Sequence, residues 1–378
     1  MITPPKDTLN DFLNRLGDAT RLTRLGQLTE ATQSIQQALR DRAAPGAERF
    51  HTADASPTVW PTPAAPHATE AAPVEHVERA GQATERWLDG STSYRGRTLA
   101  YKLYVPPQAS DGGTARRPLI VMLHGCTQGA ADFAAGTRMN ALAREAGALV
   151  LYPEQAQHAN AQKCWNWFKP QHQQRGRGEP EALAMLIRSI ADEHDIDGSR
   201  IYVAGLSAGG AMADILGRCY PDLIAAVGVH SGLPSGAASD LPSALAAMRN
   251  GASTGAASAS APVPPTIVFH GDADATVHVR NATAIVDAVL ASDRDSAGVR
   301  PEASASEGRA AAGRRYTRTV YTDRDGGARA EYWRLHGAGH AWSGGSAQGS
   351  YTDPTGIDAS AEMLRFFLAH RLRTVIDA

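Results

Sequence analysis

The sequence predicts an α/β fold, with a mostly parallel central sheet and helices on both faces. Three observations point there. From about Tyr94 onward, short apolar runs alternate with amphipathic stretches. A Gly-x-Ser-x-Gly motif sits between a strand pattern and a helix pattern. The 378 residues, 43% of them hydrophobic, are enough for a large catalytic domain plus accessory sequence.

Taken in order, residues 1–40 are predicted to form a helical segment. Leu9, Phe12, Leu13, Leu16, Leu22, Leu25 and Leu28 recur three or four apart, and Ile35, Ala38 and Leu39 extend the pattern. Residues 24–40 loosely resemble one tetratricopeptide hairpin. A single such unit cannot bury its own face, and no second copy follows. Residues 8–40 are therefore expected to dock on the main domain or on each other, or to serve as a docking or self-association arm. Residues 41–93 are rich in Pro, Ala and Thr and read as a disordered linker, because they offer too little apolar area to offset ordering.

The catalytic domain is expected over 94–378. Strands are predicted at 98–105, 118–123, 148–152, 200–204, 225–229, 266–269 and 330–335. Helices are predicted at 132–146, 180–194, 208–220, 281–291 and 359–371. Residues 235–265 and 292–315, rich in small residues, read as surface insertions.

Charge and composition exclude several classes. The formal net charge is −2, with no long basic run, which argues against nucleic acid as a partner. No apolar run is long enough for a spanning helix. The first residues lack a basic stretch followed by an apolar one, so a standard secretory signal is not expected. Three cysteines are too few for a disulfide scaffold.

Gly205-Leu206-Ser207-Ala208-Gly209 carries the strongest chemical signal. A sharp strand-to-helix turn raises Ser207 Oγ above the sheet, and the flanking glycines admit neighbouring backbone. A serine needs a base, and the motif implies the chain order Ser, acid, His. His340, in a Gly-rich loop after the last predicted strand, is the expected base. His336 competes but lies nearer the strand, where packing or a local hydrogen bond suits it. The missing H-E-x-x-H pattern argues against a zinc pair. Asp274, beyond the strand at 266–269, is the expected acid. Asp272 is expected to bond the turn backbone. The oxyanion donors are expected to be the backbone N–H groups of Ala208 and Cys126, with Thr127 as the alternative to Cys126. This chemistry requires no metal or organic cofactor.

These stretches resemble the esterases of the poly(3-hydroxybutyrate) depolymerase family. The resemblance rests on Leu123-His124-Gly125-Cys126-Thr127-Gln128, Leu151-Tyr152-Pro153-Glu154-Gln155, Cys164-Trp165-Asn166-Trp167-Phe168, the Ser207 motif, His270-Gly271-Asp272-Ala273-Asp274, and Gly339-His340-Ala341-Trp342. It implies an α/β-hydrolase fold, supports Ser207, Asp274 and His340 as a triad, and implies an ester substrate. A hydroxyalkanoate polyester or its oligomers is the first expectation, a feruloyl or acetylxylan-type ester the second, and a peptide on the same machinery the third. A tethering role for the N-terminal helices is the non-enzymatic reading. Members of the family are commonly secreted, a trait at odds with the signal-less N-terminus. Cys126 and Cys164 lie in two of the shared motifs and either pair in an oxidising compartment or remain buried thiols. Trp342, Trp165 and Trp167, with Phe168, are expected to line the substrate cleft or else to pack in the core.

Overall fold

One ten-stranded sheet organises the protein. The structure is a computed structural model, and it describes residues 84–107, 116–252, 263–292, 301–323 and 326–372. The helical segment expected at 1–40, and the expected linker as far as residue 83, lie outside the described residues.

The strands, in chain order, are β1 (Arg86–Tyr94), β2 (Arg97–Val105), β3 (Arg117–Leu123), β4 (Leu149–Glu154), β5 (Ile196–Leu206), β6 (Ala226–His230), β7 (Thr266–Gly271), β8 (Glu302–Arg309), β9 (Arg315–Thr322) and β10 (Ala328–Leu335). In space they run β1-β2-β4-β3-β5-β6-β7-β10-β9-β8. The six strands from β4 to β10 in that order are parallel, and an antiparallel hairpin closes each margin. A further short pair, β11 (Trp342–Ser343) and β12 (Thr352–Asp353), lies outside the main sheet.

The central strands are apolar on both faces because helices cover both. In β3, Leu119, Val121 and Leu123 enter one core, while Ile120 and Met122 enter the other. The first core is completed by α3 (Gly178–Glu193), α4 (Ala208–Cys219), α5 (Leu241–Asn250) and α6 (Arg280–Ser292). The second takes α1 (Ala130–Thr137), α2 (Met139–Ala146) and α7 (Ala359–Leu368). Each fully buried Leu, Ile or Phe side chain contributes about 1.5–3 kcal/mol.

The structure corrects four expectations. The span assigned to the linker contains a strand: Arg86–Tyr94 pairs along its length with β2. The hairpin turn is Arg95-Gly96, both with positive φ (47° and 77°), a geometry more readily recognised when it reads Asn-Gly. The single helix expected at 132–146 is two, because Arg138 adopts a left-handed conformation (φ 56°) between them. The insertion expected at 235–265 holds α5. Its start is fixed by a capping box in which Asp240 accepts from the Ser243 N–H and the Ser243 side chain accepts from the Asp240 N–H. The insertion expected at 292–315 holds β8, whose residues are nearly all exposed. β9 completes that margin and was not expected.

Candidate active site

The parallel strands all present their C-terminal ends at one edge, and the expected catalytic residues gather there. Ser207 follows β5 and is the residue before α4. Its backbone has a positive φ (57°, with ψ −119°), the strained turn that exposes a serine at a strand-to-helix junction. Glycine is required on either side. A Cβ on Gly209 would overlap the Leu123 carbonyl, and one on Gly205 would overlap the backbone of Gly209 and of Leu123. The Ser207 N–H donates to His230 O at 2.9 Å.

Asp274 follows β7 and is 9% exposed. One carboxylate oxygen accepts from the N–H groups of Thr276 (2.9 Å) and Val277 (2.8 Å). The other accepts from His340 Nδ1 at 2.7 Å. Burial pushes this carboxyl up, but the His340 hydrogen bond and charge, with the Val277 N–H, outweigh it. Its pKa therefore lies below the ordinary value. His270 Nε2 donates to Val277 O (2.8 Å), cinching the loop that carries the acid.

His340 rides on a loop that crosses the sheet edge. The loop leaves β10 and rests on the end of β7, where Ala273 N–H donates to Ala338 O (3.1 Å). It then meets the end of β6, where Ser343 N–H donates to His230 Nε2 (3.0 Å). The path brings the His340 loop to His230, whose carbonyl accepts the Ser207 N–H. The Nδ1–Asp274 bond leaves Nε2 as the basic nitrogen. Among the described residues no hydrogen bond joins Nε2 to the Ser207 hydroxyl. Catalytic contacts of this kind commonly close only around substrate.

His230 ties this arrangement together and was not foreseen. It is fully buried and stacks on Trp342 (5.1 Å) and Phe269 (5.8 Å). Burial, with the charges of His270 and His340, pushes its pKa down to about 3, so the ring is neutral and can accept from Ser343. Only the tertiary structure reveals this role, since nothing in the local sequence marks it. Asp272 and His336 anchor the base of the same loop. Asp272 accepts from Gly337 N–H (2.7 Å) and bonds His336 Nδ1 (3.0 Å).

The loop after β3 faces Ser207 from the other side. A Cβ added to Gly125 would lie 3.7 Å from Ser207 Cβ. Cys126 N–H and Ala208 N–H have no acceptor among the described residues, whereas Thr127 N–H donates to Gln162 O (2.6 Å). This favours Cys126 over Thr127 as the second donor. The loop is held at several points. His124, neutral because burial lowers its pKa, donates from Nδ1 to Gly125 O (2.7 Å) and accepts Gln155 N–H (3.1 Å). Gln128 Oε1 accepts Gly125 N–H (2.9 Å), while its Nε2 donates to Ser350 O (3.1 Å). Cys126 and Cys164 are joined by a disulfide. Glu179, itself buried, fixes the segment around Cys164 by accepting from Asn166 N–H (2.7 Å) and Gln155 Nε2 (2.7 Å).

Of the two places expected for the tryptophans, cleft and core, the structure shows the core. Trp342, Trp165 and Trp167 are 1%, 0% and 6% exposed, so all three pack in the core. Trp342 Nε1 donates to Ser360 Oγ (3.0 Å) and its ring meets Phe133 edge-on. Motif position could not separate a buried ring from an exposed one. The exposed aromatic at this rim is Tyr351, 48% exposed, whose phenol bonds Thr127 Oγ1 (3.1 Å). Among the described residues no cluster of three His, Cys, Asp or Glu is placed to hold a metal, and no helix is long and apolar enough to cross a membrane.

Comparison with known proteins shows what the chain is similar to. A family model described as Esterase PHB depolymerase matches residues 99–309, more than half of the chain. Poly(3-hydroxyalkanoate) depolymerase C of Paucimonas lemoignei is 35% identical over 188 residues, covering 47% of this chain and 45% of that protein. Poly(3-hydroxybutyrate) depolymerase of Ralstonia pickettii is 26% identical over 308 residues, covering 74% and 60%. Feruloyl esterase B of Thermothelomyces thermophilus is 32% identical over 143 residues, covering 38% and 47%. The chain thus spans about half the length of the curated relatives it matches. Among solved structures, an acetyl xylan esterase from Aspergillus awamori aligns with a TM-score of 0.55 at 18% identity, over 72% of this chain and 94% of that one. The shared architecture is the α/β-hydrolase fold.

Proposed function

Because this chain belongs to the esterase PHB depolymerase family, we propose that it is a carboxylic ester hydrolase whose nucleophile is Ser207. Ser207 Oγ attacks the ester carbonyl while His340 Nε2 takes its proton. The resulting oxyanion is held by the N–H groups of Cys126 and Ala208, at the positive end of α4. The C–O bond to the alcohol breaks, and the alcohol leaves with the proton from Nε2. Water, deprotonated in turn by His340, then attacks the acyl-enzyme and releases the acid and Ser207. Asp274 fixes the tautomer and stabilises the imidazolium at both stages.

The observation that carries this reading is the 2.7 Å bond between Asp274 and His340, on a loop joined through His230 to the strained Ser207 turn. The favoured substrates are hydroxyalkanoate polyesters or their oligomers, in keeping with the names of two relatives. A feruloyl or acetylxylan-type ester is the second reading, favoured by the relatives so named.

The test is a turnover panel of hydroxybutyrate oligomers, methyl ferulate and acetylated xylose, beside p-nitrophenyl esters. Ser207→Ala should abolish hydrolysis throughout and prevent labelling by a fluorophosphonate probe. Hydrolysis that survives this substitution overturns the assignment of the nucleophile.

A further inference from the structure

Tyr351 stands between the two halves of the site. Its carbonyl accepts Trp342 N–H (2.7 Å), and the β11–β12 pairing sets it beside Ala341, next to His340. Its phenol reaches Thr127, next to Cys126. The residue is held there at a cost. Its backbone is left-handed (φ 51°), as is that of Thr127 (φ 65°), and neither is glycine. Ser350, the preceding residue, is fastened by Gln128 and by Asp132, which accepts from Ser350 N–H at 2.9 Å. An aromatic ring is thus pinned in strained backbone yet left half exposed at the rim.

The direction of its hydrogen bond is informative. Thr127 Oγ1 donates its one proton to Cys126 O (2.6 Å). The Tyr351 O–H must then donate to Thr127 Oγ1, since that oxygen has no second proton to offer. With its proton committed to Thr127, the phenol oxygen of this exposed residue keeps a lone pair with which to accept. The group it suits is a hydroxyl on the substrate, with the ring face against adjoining carbon.

We propose that Tyr351 forms an acyl subsite that selects esters whose acyl part bears a hydroxyl, which donates to the phenol oxygen. The proposal rests on the esterase reading above and deepens it. A 3-hydroxyacyl group fits it, and an unsubstituted acyl chain of equal length lacks the donor.

The matched pair methyl 3-hydroxybutanoate and methyl butanoate isolates that hydroxyl. In the full chain, kcat/KM measured by pH-stat titration is expected to favour the hydroxy ester by about fivefold, the size of one hydrogen bond. Tyr351→Phe keeps the ring and removes the acceptor, so the ratio should fall to near one. Tyr351→Ala should collapse it likewise. A ratio near one in the wild type, or a ratio unchanged in the Phe variant, overturns the proposal. Wild-type protein that hydrolyses neither ester and takes no fluorophosphonate overturns the esterase reading instead.

Discussion

Asp274 carries a charge that burial opposes and His340 sustains. Replacing it with Asn keeps the shape but lets the imidazole adopt the wrong tautomer. Asp274→Asn should lower kcat by about 10³–10⁴-fold with little change in KM, measured by steady-state hydrolysis of p-nitrophenyl butyrate. Residues at this scale were legible where a motif ties chemistry to a local backbone. Ser207 needs a turn between glycines, and His340 and Asp274 follow strands in a fixed chain order. Residues whose role is only to bridge were not legible. His230 touches Ser207 through its carbonyl and the His340 loop through its ring, and no local pattern encodes both. The sequence left the tryptophans between cleft and core for a related reason. Exposure is a property of the packed molecule, and Trp342 becomes buried only when α1 and α7 close over it.

Among the elements, the loop after β3 depends most on distant partners. The Cys126–Cys164 disulfide closes a span of 38 residues and adjoins an expected oxyanion donor. Cys164→Ser should lower stability by about 3–4 kcal/mol, read from urea melts, if chain entropy dominates. It should also lower kcat more than it raises KM, because the donor loosens while the rest of the cleft stands. Strands and helices of the parallel centre were legible, since β3, β5 and β7 are apolar runs flanked by turn residues. The margins were not. β8 reads Glu-Ala-Ser-Ala-Ser-Glu-Gly-Arg and is solvated on both faces, so no apolar alternation marks it. The break at Arg138 was hidden because a left-handed arginine has no sequence signature.

For the whole molecule, the ion cluster around Glu331 sets how the fold answers to acid. Glu331 is buried on β10. It accepts from Arg318 (2.9 and 3.1 Å), Arg365 (2.7 Å) and Trp333 Nε1 (3.2 Å). Burial pushes its pKa up, yet the two arginines hold it below the ordinary glutamate value. A depressed carboxyl contributes stability above its unfolded pKa, about 4.3, and that contribution is lost as pH falls through the folded value. Glu331→Gln should cost about 1–3 kcal/mol at neutral pH, modest because both arginines are partly exposed. Thermal melts of the variant should also depend less on pH than the wild type below about pH 4.

Chain division at the same scale gives another test. The chain divides at Ala80/Gly81, and β1 starts at Arg86. A fragment of residues 81–378 should therefore fold and keep soluble-ester turnover. A cut after residue 90 removes half of β1 and should lower its melting temperature.

The outer flank formed by β8 has a consequence for behaviour in solution. An open strand edge normally invites another chain to add to it, but β8, whose outer edge has no neighbour among the described residues, offers short or ionic side chains on each face and nothing greasy to zip against. The protein should remain monodisperse by light scattering when concentrated. Exchanging Ser304 and Ser306 for valine should convert that inert border into a seed for accretion.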